Sequence, residues 1–121
     1  MKQIEINIKI GVCQLEELSD NEQALIKTAI EATKNSYAPY SHFSVGAALL
    51  LENGDMVMGA NQENAAYPSG LCAERSAIFA AQSTHPDQPI KALAIAARNG
   101  GGLMKQPIVP CGACRQVVLE I

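Results

Sequence analysis

"CAERSAIFAAQ", residues 72–82, decides how the rest of the chain is read. Ala73, Ala77, Ile78 and Ala81 recur at helical spacing and make one inner face. Yet the stretch opens with a thiol and a carboxylate, Cys72 and Glu74, neither of which helps to bury a core. "PCGACRQVVLE", residues 110–120, repeats the oddity with Cys111 and Cys114 and the same helical continuation. Two helices thus begin with groups suited to metal or acid–base chemistry.

Outward from these stretches, Ser69-Gly70 enters the first helix and "IKALAIAA" (90–97) follows it as a strand covered on both faces. Upstream, "FSVGAALLL" (43–51) and "MVMGAN" (56–61) flank "ENGD", whose Asn-Gly pair marks a β-hairpin. Ser19 and Glu22 form a capping-box pattern ahead of Leu25, Ile26, Ala29 and Ile30, and Pro39 ends that helix. Ile4, Ile6, Ile8 and Ile10 alternate with polar residues and predict a strand over 3–10. "NGGG" (99–102) reads as a flexible connection, and a last helix starts near Cys111. The order is β-α-β-β-α-β-α, an α/β domain with a hairpin feeding a sheet between helices. A helix after a central strand ordinarily returns the chain to another parallel strand.

At 121 residues the chain suits one domain, and 48% hydrophobic against 17% charged residues excludes disorder. The net charge is −3, with 9 basic and 12 acidic residues and no basic cluster, so a polynucleotide partner is not expected. No apolar run approaches the ~20 residues of a membrane helix, and the N-terminus lacks the apolar block of a secretory signal. The expected setting is cytoplasmic, without a membrane partner. In a reducing compartment the cysteines suggest metal binding or catalysis rather than disulfides. Cys13, beside Val12 and Leu15, reads as a buried structural thiol.

Three cysteines at two helix starts make a reasonable zinc site, because exposed amides and the helix dipole stabilise thiolates there. A C-x-x-C pair alone is ambiguous between zinc and redox chemistry; Cys72 moves the balance to zinc. His42 or His85 could supply a fourth ligand, but both read better as loop histidines, and a position left open for water is expected. Glu74, two residues past Cys72, is placed to move protons beside the metal without binding it. Three thiolates around Zn²⁺ leave a net negative charge, which Arg75 or Arg115 could offset by donating to sulfur.

"CAER" followed by "PCGACRQ" resembles the zinc signature of the small, homotetrameric cytidine deaminases, within the cytidine and deoxycytidylate deaminase superfamily. "YAPYSHFSVGAALL" (37–50) and "NQENAAYPSGLCAERSAI" (61–78) are similar to its substrate-binding segments, so the resemblance runs from about Tyr37 to Gln116. It implies a three-layer α-β-α fold with a mixed sheet. It also implies one zinc ion per subunit on Cys72, Cys111 and Cys114, with Glu74 as proton shuttle. Asn61 and Glu63 match the pair holding the ribose hydroxyls, Phe43 an aromatic on the pyrimidine, and Ala73 a further substrate contact. Ala65 and Tyr67 match positions given to a neighbouring subunit's pocket. The implied activity is hydrolytic deamination of cytidine and deoxycytidine to uridine and deoxyuridine plus ammonia, a reaction of pyrimidine salvage.

The chain departs from the pattern at both ends. Residues 1–18 form an N-terminal extension with the expected strand, ahead of a deaminase core over 19–121. Family members continue into more sheet where this chain stops, so a single domain truncated at its C-terminus is expected. Two other readings share the metal signature. One is a deaminase for an aminopyrimidine antibiotic or modified nucleoside; the other is a non-catalytic, zinc-stabilised nucleoside-binding module.

Overall fold

A computed structural model describes residues 1–121. Strand β1 (Ser44–Leu51) is the axis of the fold. It pairs antiparallel with β2 (Met56–Ala60) on one side and with β3 (Ile90–Asn99) on the other; β4 (Gly102–Leu103) pairs with the end of β3. The order is β2-β1-β3-β4.

Alternation along β1 divides the core in two. Ala47, Leu49 and Leu51 face helix α2 (Ala73–Thr84), where they pack with Ala77, Ile78 and Ala81. Ala48 faces the other way, against Leu25 and Ala29 of helix α1 (Asp20–Ala32). Helix α3 (Gly112–Glu120) joins the α2 side, where Val117 reaches the core. Helices therefore cover both faces of one sheet, the expected three-layer α-β-α arrangement. Each fully buried Leu or Ile contributes about 1.5–3 kcal/mol.

The helices approach the sheet backbone directly where β1 and β2 each present a glycine. A Cβ on Gly46 would stand 2.1 Å from the Ala29 carbonyl oxygen of α1; one on Gly59 would stand 2.4 Å from the Ala77 amide nitrogen of α2. The alanines of both helices complete this fit, since larger side chains would hold the layers apart.

Four expectations from the sequence are corrected. The sheet is not mixed: every pairing among its four strands is antiparallel. Strands β2 and β3 do run parallel to each other, with α2 as their crossover, but β1 lies between them. The N-terminal extension carries no strand: Leu15–Glu17 form a 3₁₀ turn, and Ile4, Ile6, Ile8 and Ile10 stay 78–82% exposed. Alternation alone does not make a strand without a neighbouring edge to satisfy its amides. Cys13 is exposed rather than buried. Finally, "NGGG" is a tight turn, with Gly102 at φ 109° and the Gly101 amide donating to Asn99 Oδ1 at 2.8 Å.

The remaining elements follow the sequence closely. Ser19 caps α1 reciprocally with Glu22, and Gly54 at φ 91° closes the β1–β2 hairpin.

Candidate metal centre and adjoining cavity

The chain leaves β2 through Asn61–Leu71 and enters α2 at Cys72, its N-cap. It enters α3 at Cys111, also an N-cap, with Cys114 in the first turn. Cys72 makes no side-chain cap bond to its helix, whereas the Cys111 sulfur faces the amides at the head of α3. Both thiols lie at the positive ends of helices, where a thiolate is stabilised.

The sulfurs of Cys72, Cys111 and Cys114 all lie within 4.8 Å of one another, and Cys72 Sγ and Cys111 Sγ are 3.7 Å apart. Two sulfurs at ~2.3 Å from one tetrahedral zinc would stand ~3.8 Å apart, so the donor set and spacing fit that ion. Neither histidine joins the cluster. His85 lies 3.5 Å from Asp55 at the end of α2, and His42 is exposed with φ 57°. No protein group therefore closes a fourth position.

The thiols differ electrostatically. Cys111 is drawn down to about 7, chiefly by the Cys114 backbone amide at the head of α3. Cys114 is pushed well up, first by burial and then by the neighbouring Glu74. Glu74 itself is only 4% exposed, one residue into α2 and beside Cys114. A carboxylate is seldom buried unless it has work to do there or a partner.

The arginines separate cleanly. Arg75 Nη2 donates to Cys72 Sγ at 3.4 Å, and its guanidinium is held more firmly protonated by Cys72 and then Cys114. Arg75 Nε is buried without a partner, so the side chain is fixed by its sulfur contacts alone. Arg115 turns away: its Nε donates to the Pro110 carbonyl at 2.9 Å, bracing the chain into α3. Of the two expected sulfur donors, the structure provides one.

Beside Cys72 opens a cavity of about 570 Å³, lined in part by Asn61, Glu63, Ala65, Tyr67 and Arg75. Asn61 spans the strand ends, its Oδ1 accepting from the Val45 amide at 2.8 Å and its Nδ2 donating to the Phe43 carbonyl at 2.9 Å. Glu63 Oε1 accepts from the Tyr40 and Ser41 amides at 3.0 and 3.1 Å. Its carboxyl is held below the ordinary value, first by the Ser41 hydroxyl, with those amides and His42 adding to the effect against some desolvation. Tyr67 stands 93% exposed at the rim.

Phe43, Ala73 and Glu74 are absent from the cavity wall. Phe43 is half-buried, while Ala73 and Glu74 lie buried behind Cys72. Sequence reasoning missed Tyr40, Gln62, Gly70 and Leu71, which do line it. The paired Gln62–Leu71 backbone bonds, both 2.9 Å, clamp the loop into α2. Gly70 permits this, since a Cβ there would meet the Gln62 carbonyl oxygen at 2.9 Å. The Ser-Gly pair before Leu71 was the available signal.

Residues 19–121 match the model of the cytidine and deoxycytidylate deaminase zinc-binding region. The chain belongs to this deaminase family. Zinc is accordingly the metal of the three-cysteine cluster. The deaminase domain is 48% identical over 101 residues to the cytidine deaminase of Halalkalibacterium halodurans, covering 84% of this chain and 72% of that protein. It is 44% identical over 92 residues to the cytidine deaminase of Mycobacterium tuberculosis, covering 76% of this chain and 65% of that protein. Among solved structures, cytidine deaminase from Burkholderia pseudomallei superimposes with a TM-score of 0.70 at 44% identity, over 79% of this chain and 72% of that one. The family match begins at Ser19, leaving the first 18 residues outside it. No helix is long and apolar enough to cross a membrane.

Proposed function

We infer that this deaminase hydrolyses the exocyclic C–N bond of cytidine and deoxycytidine, giving the uracil nucleosides and ammonia. The observation that carries this reading is the buried Glu74 carboxylate beside a three-cysteine cluster that no fourth protein ligand closes. Zinc, when held by Cys72, Cys111 and Cys114, supplies Lewis-acid activation of the attacking water.

The chain's own residues do the rest. Water adds at ring C4 while Glu74 takes its proton and delivers it to N3. Glu74 then moves the proton of the new hydroxyl to the amino group, C4–N4 breaks, and ammonia leaves. One carboxyl can serve each transfer only if it stays within hydrogen-bond reach of the water, N3 and the leaving group. Arg75 offsets the charge accumulated on the thiolates. Asn61 and Glu63 hold the ribose hydroxyls: each is immobilised by backbone bonds on one side and keeps polar capacity toward the cavity. The resemblance also gives Phe43 the pyrimidine face and Ala73 a substrate contact, both from positions outside the cavity wall.

The cavity is open, with Ala65 and Tyr67 exposed on its rim, which supports a homo-oligomer, a tetramer, in which neighbouring copies complete each site. A cytoplasmic setting, where thiols remain reduced, suits the zinc cluster. The substrate assignment is tested by comparing cytidine, deoxycytidine, free cytosine and cytidine monophosphate. Turnover confined to the two nucleosides supports it. Preference for the free base or the nucleotide overturns it.

A further inference from the structure

Two residues assigned to the nucleoside, Glu63 and Phe43, meet at Ser41. Glu63 Oε1 accepts from the Tyr40 and Ser41 amides at 3.0 and 3.1 Å, so one carboxylate oxygen is gripped by backbone. Ser41 Oγ accepts from the Phe43 amide at 3.1 Å. That bond leaves the hydroxyl proton free to donate elsewhere, and the same hydroxyl is the strongest influence holding the Glu63 carboxyl below its ordinary value. The Phe43 carbonyl is held from the other side, by Asn61 Nδ2 at 2.9 Å.

The backbone is shaped to bring these groups together. The Tyr37 amide donates to the Asn61 carbonyl at 3.0 Å and the Glu63 amide to the Tyr37 carbonyl at 2.8 Å, which fixes Tyr37 alongside the start of the cavity wall. The His42 amide then closes the turn on the Ala38 carbonyl at 3.0 Å. His42 takes φ 57° and is the one non-glycine residue of the chain in the left-handed region, an uncommon conformation for such a side chain. There it turns the Phe43 amide back onto Ser41 Oγ. Ser41 and His42 are both exposed, so core packing does not explain the turn.

We propose that Ser41 is a positioning residue, whose amide and hydroxyl fix the Glu63 carboxylate and tie it to the Phe43 backbone as one rigid unit. This rests on the nucleoside reading of the site. Ribose and pyrimidine are joined by a single glycosidic bond, so their two contacts on the protein must keep a constant separation. A carboxylate already held in place loses less freedom when it takes a sugar hydroxyl, so Ser41 acts on binding more than on chemistry. Asn61 still holds Phe43 when Ser41 is lost, which confines the loss to substrates that carry ribose hydroxyls.

The test compares zinc-loaded wild type, Ser41→Ala, Ser41→Thr, Glu63→Gln and the Ser41→Ala/Glu63→Gln double variant. Ser41→Ala should raise KM for cytidine about 10-fold with kcat within about twofold, and Ser41→Thr, which keeps the hydroxyl, should recover most of the loss. The double variant should be no worse than Glu63→Gln alone. On 2′,3′-dideoxycytidine, which offers Glu63 no hydroxyl, wild type and Ser41→Ala should have equal kcat/KM. In the ligand-free protein, ¹³C-carboxyl NMR should show Glu63 titrating at higher pH in Ser41→Ala, with the His42 ring, which also favours the carboxylate, left in place. An equal loss on both substrates, additive effects in the double variant, or an unshifted Glu63 titration would overturn the proposal while leaving the deaminase reading intact. A wild type silent on both nucleosides would overturn that reading, and the proposal with it.

Discussion

Cys72 Sγ and Cys111 Sγ lie 3.7 Å apart although 39 positions separate them in the chain. The contact exists because β2 and β3 flank β1 in the same direction, so the helices entered after them start at the same end of the sheet. Any change that shifts α2 against the sheet should be felt at the metal.

Gly59→Ala tests that link. Its methyl would press on the Ala77 amide and the Ala73 carbonyl, both backbone atoms that have no free room to yield. A loss of about 2–3 kcal/mol is expected, on the order of 10 °C in Tm. Zinc affinity should fall with it, measured by competition with a chromogenic chelator.

The three thiols act as one unit. Cys114→Ser, at a fully buried position, should abolish stoichiometric zinc by elemental analysis. Chelation of the wild-type protein should lower Tm by at least ~5 °C, with recovery on adding zinc back, since the ion binds the folded state alone.

Much of this was legible in the sequence. The capping box at Ser19, the Asn-Gly hairpin and the periodicity of α2 are local signals, and the structure follows them. The cysteine cluster was legible because thiols at two helix starts have few other uses in a reducing compartment. What failed was nonlocal. The alternating isoleucines of residues 4–10 specify a willing strand but not an available edge. Arg75 and Arg115 each directly follow a motif residue; only the structure, with Arg75 on the Cys72 sulfur and Arg115 on the Pro110 carbonyl, separates their roles. Strand β4 consists of two residues, below any periodicity.

That difference between the arginines is itself testable. Arg75→Gln should release zinc roughly 10–100-fold faster and move the pH profile of turnover, as loss of a group that orients a metal ligand does. Arg115→Gln should leave zinc release nearly unchanged and show its effect in thermal stability instead.

Glu63 carries a pH signature. Its folded value lies below the ordinary 4.5, so its contribution to stability is present above that value and is lost as the pH falls through the lower folded one. Glu63→Gln should therefore be less stable than wild type near neutrality, with the difference closing in acid. Calorimetric Tm values across pH check this. The same substitution should raise KM for cytidine more than it lowers kcat.

The most direct measurement is ammonia release from cytidine, followed with the pyrimidine absorbance, by zinc-loaded wild-type protein and by Glu74→Gln. Stoichiometric uridine and ammonia from the wild type are expected. The variant should be slower by about 10²–10⁴-fold with zinc fully retained. A silent wild type that is folded and zinc-loaded, or a variant as fast as the wild type, would contradict the assignment of Glu74 as the proton carrier of a cytidine-deaminating site.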